Sequence, residues 1–281
     1  MAWQAGDLIV DGYRLHYYRT GHGAHPVVFA HGFTDNALCW QRLIQALPGV
    51  YDCVAYDGRG HGLSDRAMGA FSEATRVTDL SGLMEGLGLE HPGLVGHSLG
   101  AASVALVAAN RPDLPRWLVL EDPAWMDLPP GMAPDTPGVV QARKVYMQSW
   151  RDWLAGLREA PQAQAFAQIR QSSPEWTEQD VTRYLEARRQ VEIALFDLDW
   201  LAGTGWREVV AQIRCPFLLL TGEKALGGVV SPELAEEAVR INPAGRWVQI
   251  QGAGHHLRFS RFEDTLAAIL QFLAEVDPQD S

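Results

Sequence analysis

Residues Leu94 to Ala109 read LVGHSLGAASVALVAA, and the rest of the chain is best understood outward from them. Pro92-Gly93 opens a short apolar run, Leu94-Val95, of the kind expected for a strand buried on both faces. From Leu99 the alanine-rich run to Asn110 is dense in good helix formers, and Arg111-Pro112 ends it. Between the two stands Ser98, within Gly96-His97-Ser98-Leu99-Gly100. A strand that turns directly into a helix brings backbone and helix close together, which gives Gly96 and Gly100 a steric reason to lack side chains. Such a turn lifts the serine above the sheet edge with a helix N-terminus beneath it, where developing negative charge is favoured.

The flanking sequence supports a strand and helix alternation around this turn. Asp7–Asp11 and Tyr13–Thr20 alternate around Gly12 as an opening hairpin, and Pro26–Ala30 is a buried strand ending in His31-Gly32-Phe33. Ala37–Leu47 reads as a helix stopped by Pro48-Gly49, and Tyr51–Tyr56 as the next strand. Asp57 to Asp65 is a turn-rich loop in which an Asp and an Arg can pair; His61 within it reads as a surface histidine. Arg116–Glu121, Phe217–Gly222 and Arg246–Ile250 supply further strands. The closing helix is expected to be capped from Ser260 to Glu263.

From Trp125 to about Thr204 the alternation stops. Thr136-Pro137 opens a helix with an apolar stripe through Trp150, Trp153 and Leu157, a second helix is expected over Pro161–Ile169, and Thr177–Asp180 resembles a capping box for a third extending towards Phe196. Trp125, Trp150, Trp153, Trp176 and Trp200 are an unusual share of tryptophan for this length; most are needed to bury a small helical unit, and one or two should face the cleft.

Composition narrows the function. The chain has 281 residues, 47% of them hydrophobic, which suffices for one large core or a core plus an insertion. A formal net charge of −11 argues against nucleic acid and against an anionic membrane as partners. Cys39, Cys53 and Cys215 are odd in number and sit beside Trp40, Val54 and Phe217; they read as free core thiols, with no metal-ligand spacing. With no signal-like or bilayer-length apolar run, the expectation is a cytoplasmic monomer or homodimer.

Gly96-x-Ser98-x-Gly100, the strand-ending His31-Gly32-Phe33, the string Asp57-x-Arg59-Gly60-x-Gly62-x-Ser64 and Gly252-x-Gly254-His255 after the last strand occur in an order that resembles the α/β-hydrolase superfamily over nearly the whole chain. The resemblance implies an α/β fold with a mostly parallel eight-stranded sheet flanked by helices, a core over residues 1–124 and 205–281, and an α-helical cap over 125–204 inserted after the sixth strand. It also implies Ser98 as nucleophile, the N–H groups of Phe33 and Leu99 as the oxyanion hole, and His255 as base, with His256 its competitor. The acid departs from the family pattern, because Ala225 stands where an aspartate is usual. Some relatives carry the acid one strand earlier, lipases among them in an Asp-Pro-Ala string like Asp122-Pro123-Ala124. This implies Asp122, with Glu121 the second choice and Glu223 the third. Strand alternation sends Glu121 and Asp122 to opposite faces, so only one should reach the histidine.

These residues together imply acyl transfer by a serine hydrolase with neither metal nor organic cofactor. The serine nucleophile excludes the epoxide-hydrolase and dehalogenase branches, which attack with aspartate. An aromatic lining of Phe33, His97, Trp125, Trp150 and Trp153, without a charged clamp, points to a neutral hydrophobic ester or lactone as the small-molecule partner. The alternatives are a carbon–carbon hydrolase or cofactor-free perhydrolase and, from another class, a receptor retaining a hydrolase pocket.

Overall fold

The computed structural model describes residues 3–125, 136–198 and 205–278. Strands β1 (Gln4–Val10) and β2 (Tyr13–Arg19) form the opening hairpin, followed by β3 (His25–Ala30), α1 (Gln41–Ala46), β4 (Tyr51–Tyr56), α2 (Glu73–Gly86), β5 (Gly93–His97), α3 (Leu99–Asn110) and β6 (Leu118–Glu121). Three helices, α4 (Pro137–Glu159), α5 (Gln162–Ser172) and α6 (Glu178–Gln190), separate β6 from the remainder: α7 (Trp206–Gln212), β7 (Phe217–Thr221), α8 (Pro232–Ile241), β8 (Gly245–Gln249), α9 (Leu257–Ser260) and α10 (Phe262–Val276). The eight strands form one sheet in the order β1-β2-β4-β3-β5-β6-β7-β8. Only the β1–β2 and β2–β4 pairs are antiparallel.

The sheet is covered on both faces, as a parallel sheet requires. Strands β5, β6 and β7 are buried at every position, which is why their sequences run apolar without alternation. One face carries Val28, Leu94, Val104 and Leu219 among its core residues, and the other Phe29, Trp40, Val119 and Phe272. Helix α3 is apolar all round because it is buried along almost its whole length. All three cysteines are free and buried, and burial pushes each thiol up to about 12. No helix among the described residues is long and apolar enough to cross a membrane.

The local differences from the sequence reading have physical causes. The helix expected over Ala37–Leu47 begins as a 3-10 turn, Ala37–Trp40, because Asp57 Oδ1 accepts from the Ala37 N–H at 2.8 Å. Helix α6 stops at Gln190 rather than continuing to Phe196. There the Glu192 N–H donates to Gly60 O at 2.6 Å and Glu192 Oε2 accepts from the Ala67 N–H at 2.7 Å, drawing the chain out towards the loop after β4. Asp57 does not pair with Arg59: Arg59 is bidentate to Asp79 of α2 at 2.7 and 2.5 Å. Ser260 does not cap α10, whose N-cap is Arg261 without a side-chain cap bond; the Ser260 hydroxyl instead accepts from Trp176 Nε1 at 3.1 Å. The Thr177 capping box forms with Asp180 as its reciprocal partner.

Candidate active site

Every expected site residue on the core lies at the end where the parallel strands terminate, the usual ligand-binding edge of an open α/β sheet. Ser98 is the N-cap of α3, with φ 52° and ψ −116°. For a residue with a side chain this is a strained conformation, costing about 1–3 kcal/mol and sustained only by the packing around it. That packing is tight. A Cβ on Gly100 would fall 2.1 Å from Ala30 O, and one on Gly32 would fall 3.2 Å from the Ser98 Cβ. Only glycine allows the turn after β3 to close against the serine.

The geometry separates the three candidate carboxylates. The β5–β6 ladder runs up to the elbow, where the Ser98 N–H donates to Glu121 O at 2.9 Å. One residue later Asp122 takes φ 41°, turning its side chain away from that of Glu121. His255 Nδ1 lies 2.6 Å from Asp122 Oδ2. Asp122 is fully buried, and its carboxylate also accepts from the Val229 N–H at 2.8 Å and the Val230 N–H at 3.1 Å. The segment after β7, where the family usually carries its acid, thus supplies backbone donors to a carboxylate just beyond β6. Ala225 lies exposed in the 3-10 turn Lys224–Leu226. Glu223 accepts from the Gly252 N–H at 2.6 Å and reaches no histidine contact. Glu121 is committed elsewhere: it accepts from the Arg258 N–H at 3.1 Å and from Arg258 Nη1 at 2.9 Å.

Beneath this pair lies a buried charge cluster that sequence reading missed. Asp35 accepts from Arg188 Nη1 at 3.0 Å and Arg258 Nη2 at 3.2 Å, and faces His97 Nδ1 at 3.1 Å. Burial alone would raise the Asp35 carboxyl, but the His97 hydrogen bond and the charge of Arg188 hold it well below the usual carboxylate range. His97 is therefore not a substrate contact. Its ring is 1% exposed and its Nε2 lies 3.0 Å from the His255 carbonyl, so it supports the loop that carries His255. Burial and then Arg258 push the His97 imidazole down. His256 stacks on Phe259 and contacts Tyr184 and Trp176 edge-on or tilted, away from Asp122. Burial, followed by His97, pushes it well below its ordinary value. Asp35, His97 and His256 also bring their ligand atoms within 4.8 Å of one another. Two guanidinium groups already occupy the Asp35 carboxylate, and their charge opposes a further cation.

The aromatic wall differs in part from expectation. Phe33 is packed by Trp150 at 5.1 Å and Phe196 at 4.8 Å, with Phe71 and His61 behind it. Trp153 is half-buried between this cluster and the packing of α5 and α6. Trp125, expected at the cleft, lies instead in the main core, 5% exposed and stacked on Trp206 at 4.8 Å. The turn at Asp122 explains this: the Ala124 N–H donates back to Ser98 O at 3.1 Å and sends the next side chain sideways to α7. Trp200 lies outside the described residues. His61 is not at the surface; it is 2% exposed, and burial with the neighbouring His31 pushes it down to about 3.

The model of a family described as the alpha/beta hydrolase family matches residues 27–269. The N-formylmaleamate deformylase of Pseudomonas putida (strain KT2440) is 25% identical over 272 residues, covering 95% of this chain and 96% of that protein. A soluble epoxide hydrolase of Corynebacterium sp. (strain C12) is 32% identical over 124 residues, so this chain spans only 41% of its length. Among solved structures, a thermophilic esterase from Thermogutta terrifontis with malate bound superposes with a TM-score of 0.75 at 23% identity, covering 97% of this chain and 99% of that one.

Proposed function

Because the chain belongs to the α/β-hydrolase family, we propose that this hydrolase is a serine enzyme cleaving neutral, apolar carboxylic esters or lactones through an acyl-enzyme. The single observation that carries the reading is the 2.6 Å contact between His255 Nδ1 and Asp122 Oδ2, on a histidine whose loop stands at the same sheet edge as Ser98. A carboxylate accepting from Nδ1–H leaves Nε2 unprotonated and able to take the serine proton. Ser98 Oγ then bonds to the substrate carbonyl carbon as His255 accepts that proton, and the oxyanion is met by the N–H groups of Phe33 and Leu99. Each such donor contributes on the order of 3 kcal/mol in comparable sites. His255 returns the proton to the leaving oxygen as the C–O bond breaks. Water, deprotonated by the same imidazole, releases the acid.

The helices α4–α6 act in this reading as a cap: Trp150 of α4 and Phe196 of the 3-10 turn after α6 pack on Phe33 of the core, an apolar surface suited to an uncharged acyl or alkyl group. A serine at the elbow disfavours epoxide opening, which this fold performs with aspartate. An intact carboxylate–imidazole pair favours turnover over a receptor. Amide cleavage is the second reading, favoured by the full-length likeness to a deformylase. The test is a panel of p-nitrophenyl esters and lactones graded by acyl size, run beside N-formyl amides, with Ser98→Ala as control. Ester or lactone turnover dependent on Ser98, with an acyl adduct at Ser98 by mass spectrometry, is the expected result. Turnover confined to amides transfers the assignment to the second reading, and ester turnover that survives in Ser98→Ala overturns the proposal.

A further inference from the structure

Behind Phe33 lies a cavity of about 30 Å³ bordered by His31, Gly32, Phe71, Leu99, Gly100 and His61. It borders both Phe33 and Leu99, the two residues read above as oxyanion donors. His61 Nδ1 lies 3.0 Å from the Arg59 carbonyl, an acceptor only, so this nitrogen carries the proton and Nε2 presents a lone pair. That Nε2 is buried and without a hydrogen-bond partner. The neighbouring His31 is satisfied at both nitrogens, with Nδ1 2.8 Å from Gly32 O and Nε2 accepting from the Gly58 N–H at 2.9 Å. Arg59 and Asp79, also in the cavity wall, are paired with each other, and the Ser103 hydroxyl donates to Leu99 O. A buried acceptor left bare is costly, and a group that donates to it gains selectively.

We propose that His61 Nε2 and this cavity form a subsite for one small hydrogen-bond donor, a hydroxyl or N–H borne on the acyl part of the substrate close to the reacting carbonyl. At about 30 Å³ the cavity has room for a small oxygen- or nitrogen-bearing group, since a single water needs roughly 10–15 Å³. The ring is neutral at ordinary pH, so His61 Nε2 itself accepts from a neutral donor; Arg76, also in the cavity wall, is engaged with the Ser103 hydroxyl at 3.1 Å. The inference rests on the acyl-transfer reading and adds to it a preference for donor-bearing acyl groups.

The experiment compares p-nitrophenyl esters of acetic, hydroxyacetic and methoxyacetic acid, each rate divided by its hydroxide-catalysed rate to remove electronic activation. The wild-type enzyme is expected to favour the hydroxyacyl over the methoxyacyl ester in kcat/KM by about tenfold. His61→Leu should abolish that preference while leaving the acetyl ester within about threefold of wild type. His61→Gln, which keeps an acceptor, should retain part of the preference. Equal rates for the two substituted esters in the wild-type enzyme overturn the proposal without any variant, and mean that the cavity holds a fixed water. A hydroxyacyl preference that survives in His61→Leu overturns it as well. Hydrolysis of the acetyl ester by the wild-type enzyme reports separately on the acyl-transfer reading.

Discussion

At Ser98 and Asp122 the backbone adopts positive φ with side chains other than glycine, and these are the two residues whose side chains must leave the sheet in unusual directions. Ser98→Gly removes the side chain and the strain together. It is expected to abolish hydrolysis and to raise stability by about 1 kcal/mol, read as a higher urea midpoint at unchanged slope. An unchanged or lowered midpoint would show that the elbow is not strained. Glu121 provides the contrast. Its carboxylate balances Arg258, which is 2% exposed, so Glu121→Gln should lower stability by roughly 3 kcal/mol while kcat at a temperature where the fold persists stays within a few-fold of wild type. The elbow was legible in sequence because glycine is demanded at fixed offsets around the serine. The choice between Glu121 and Asp122 was legible only as two carboxylates on opposite faces. Which of the two meets His255 follows from a backbone turn that no residue type in the string dictates.

At the scale of elements, α6 joins the inserted helices to the core. Arg188 reaches Asp35 behind the β3 turn, Asn36 Nδ2 donates to Gln190 Oε1 at 2.8 Å, and Arg42 Nη1 donates to Asp180 Oδ2 at 2.8 Å. The Arg188 guanidinium also lies over the Tyr184 ring. Replacing Arg188 by methionine leaves Asp35 with one guanidinium, that of Arg258, beside His97 and His256, and should destabilise the protein by about 3 kcal/mol. Calorimetry checks this, and an unaltered melting temperature would show that the Arg188–Asp35 pair adds nothing to the hold on α6. The strands and most helices could be read from continuous apolar runs, proline and serine starts, and helical periodicity. The end of α6 and the place of Trp125 could not, because each is set by contacts between segments more than 25 residues apart: Glu192 with Gly60 and Ala67, Trp125 with Trp206. Two buried arginines, Arg188 and Arg258, were likewise invisible, since nothing in a lone arginine tells whether it is solvated or paired.

For the whole molecule, buried neutral histidines set the acid limit of stability. His61 is held down to about 3 by burial and by His31, and His256 lies well below its ordinary value through burial and His97. In the unfolded chain both protonate near 6.5, so below that pH the unfolded state binds more protons than the native one. Stability from this source is complete above about pH 6.5 and declines as pH falls towards 3, by on the order of 4 kcal/mol for His61 alone. Urea midpoints measured between about pH 7.5 and 4 should fall steadily, and His61→Gln should flatten the slope; a level wild-type profile would contradict the buried neutral ring. The proposed mechanism draws one proton path from chain segments far apart in sequence, and Asp122 is where that proposal is most exposed to test. Replacing Asp122 by asparagine leaves one oxygen to accept from the Val230 N–H but turns an NH2, a donor, towards both the Val229 N–H and His255 Nδ1, and kcat for a p-nitrophenyl ester is predicted to fall by about 10⁴ with little change in KM. A rate within tenfold of wild type in Asp122→Asn would contradict the account.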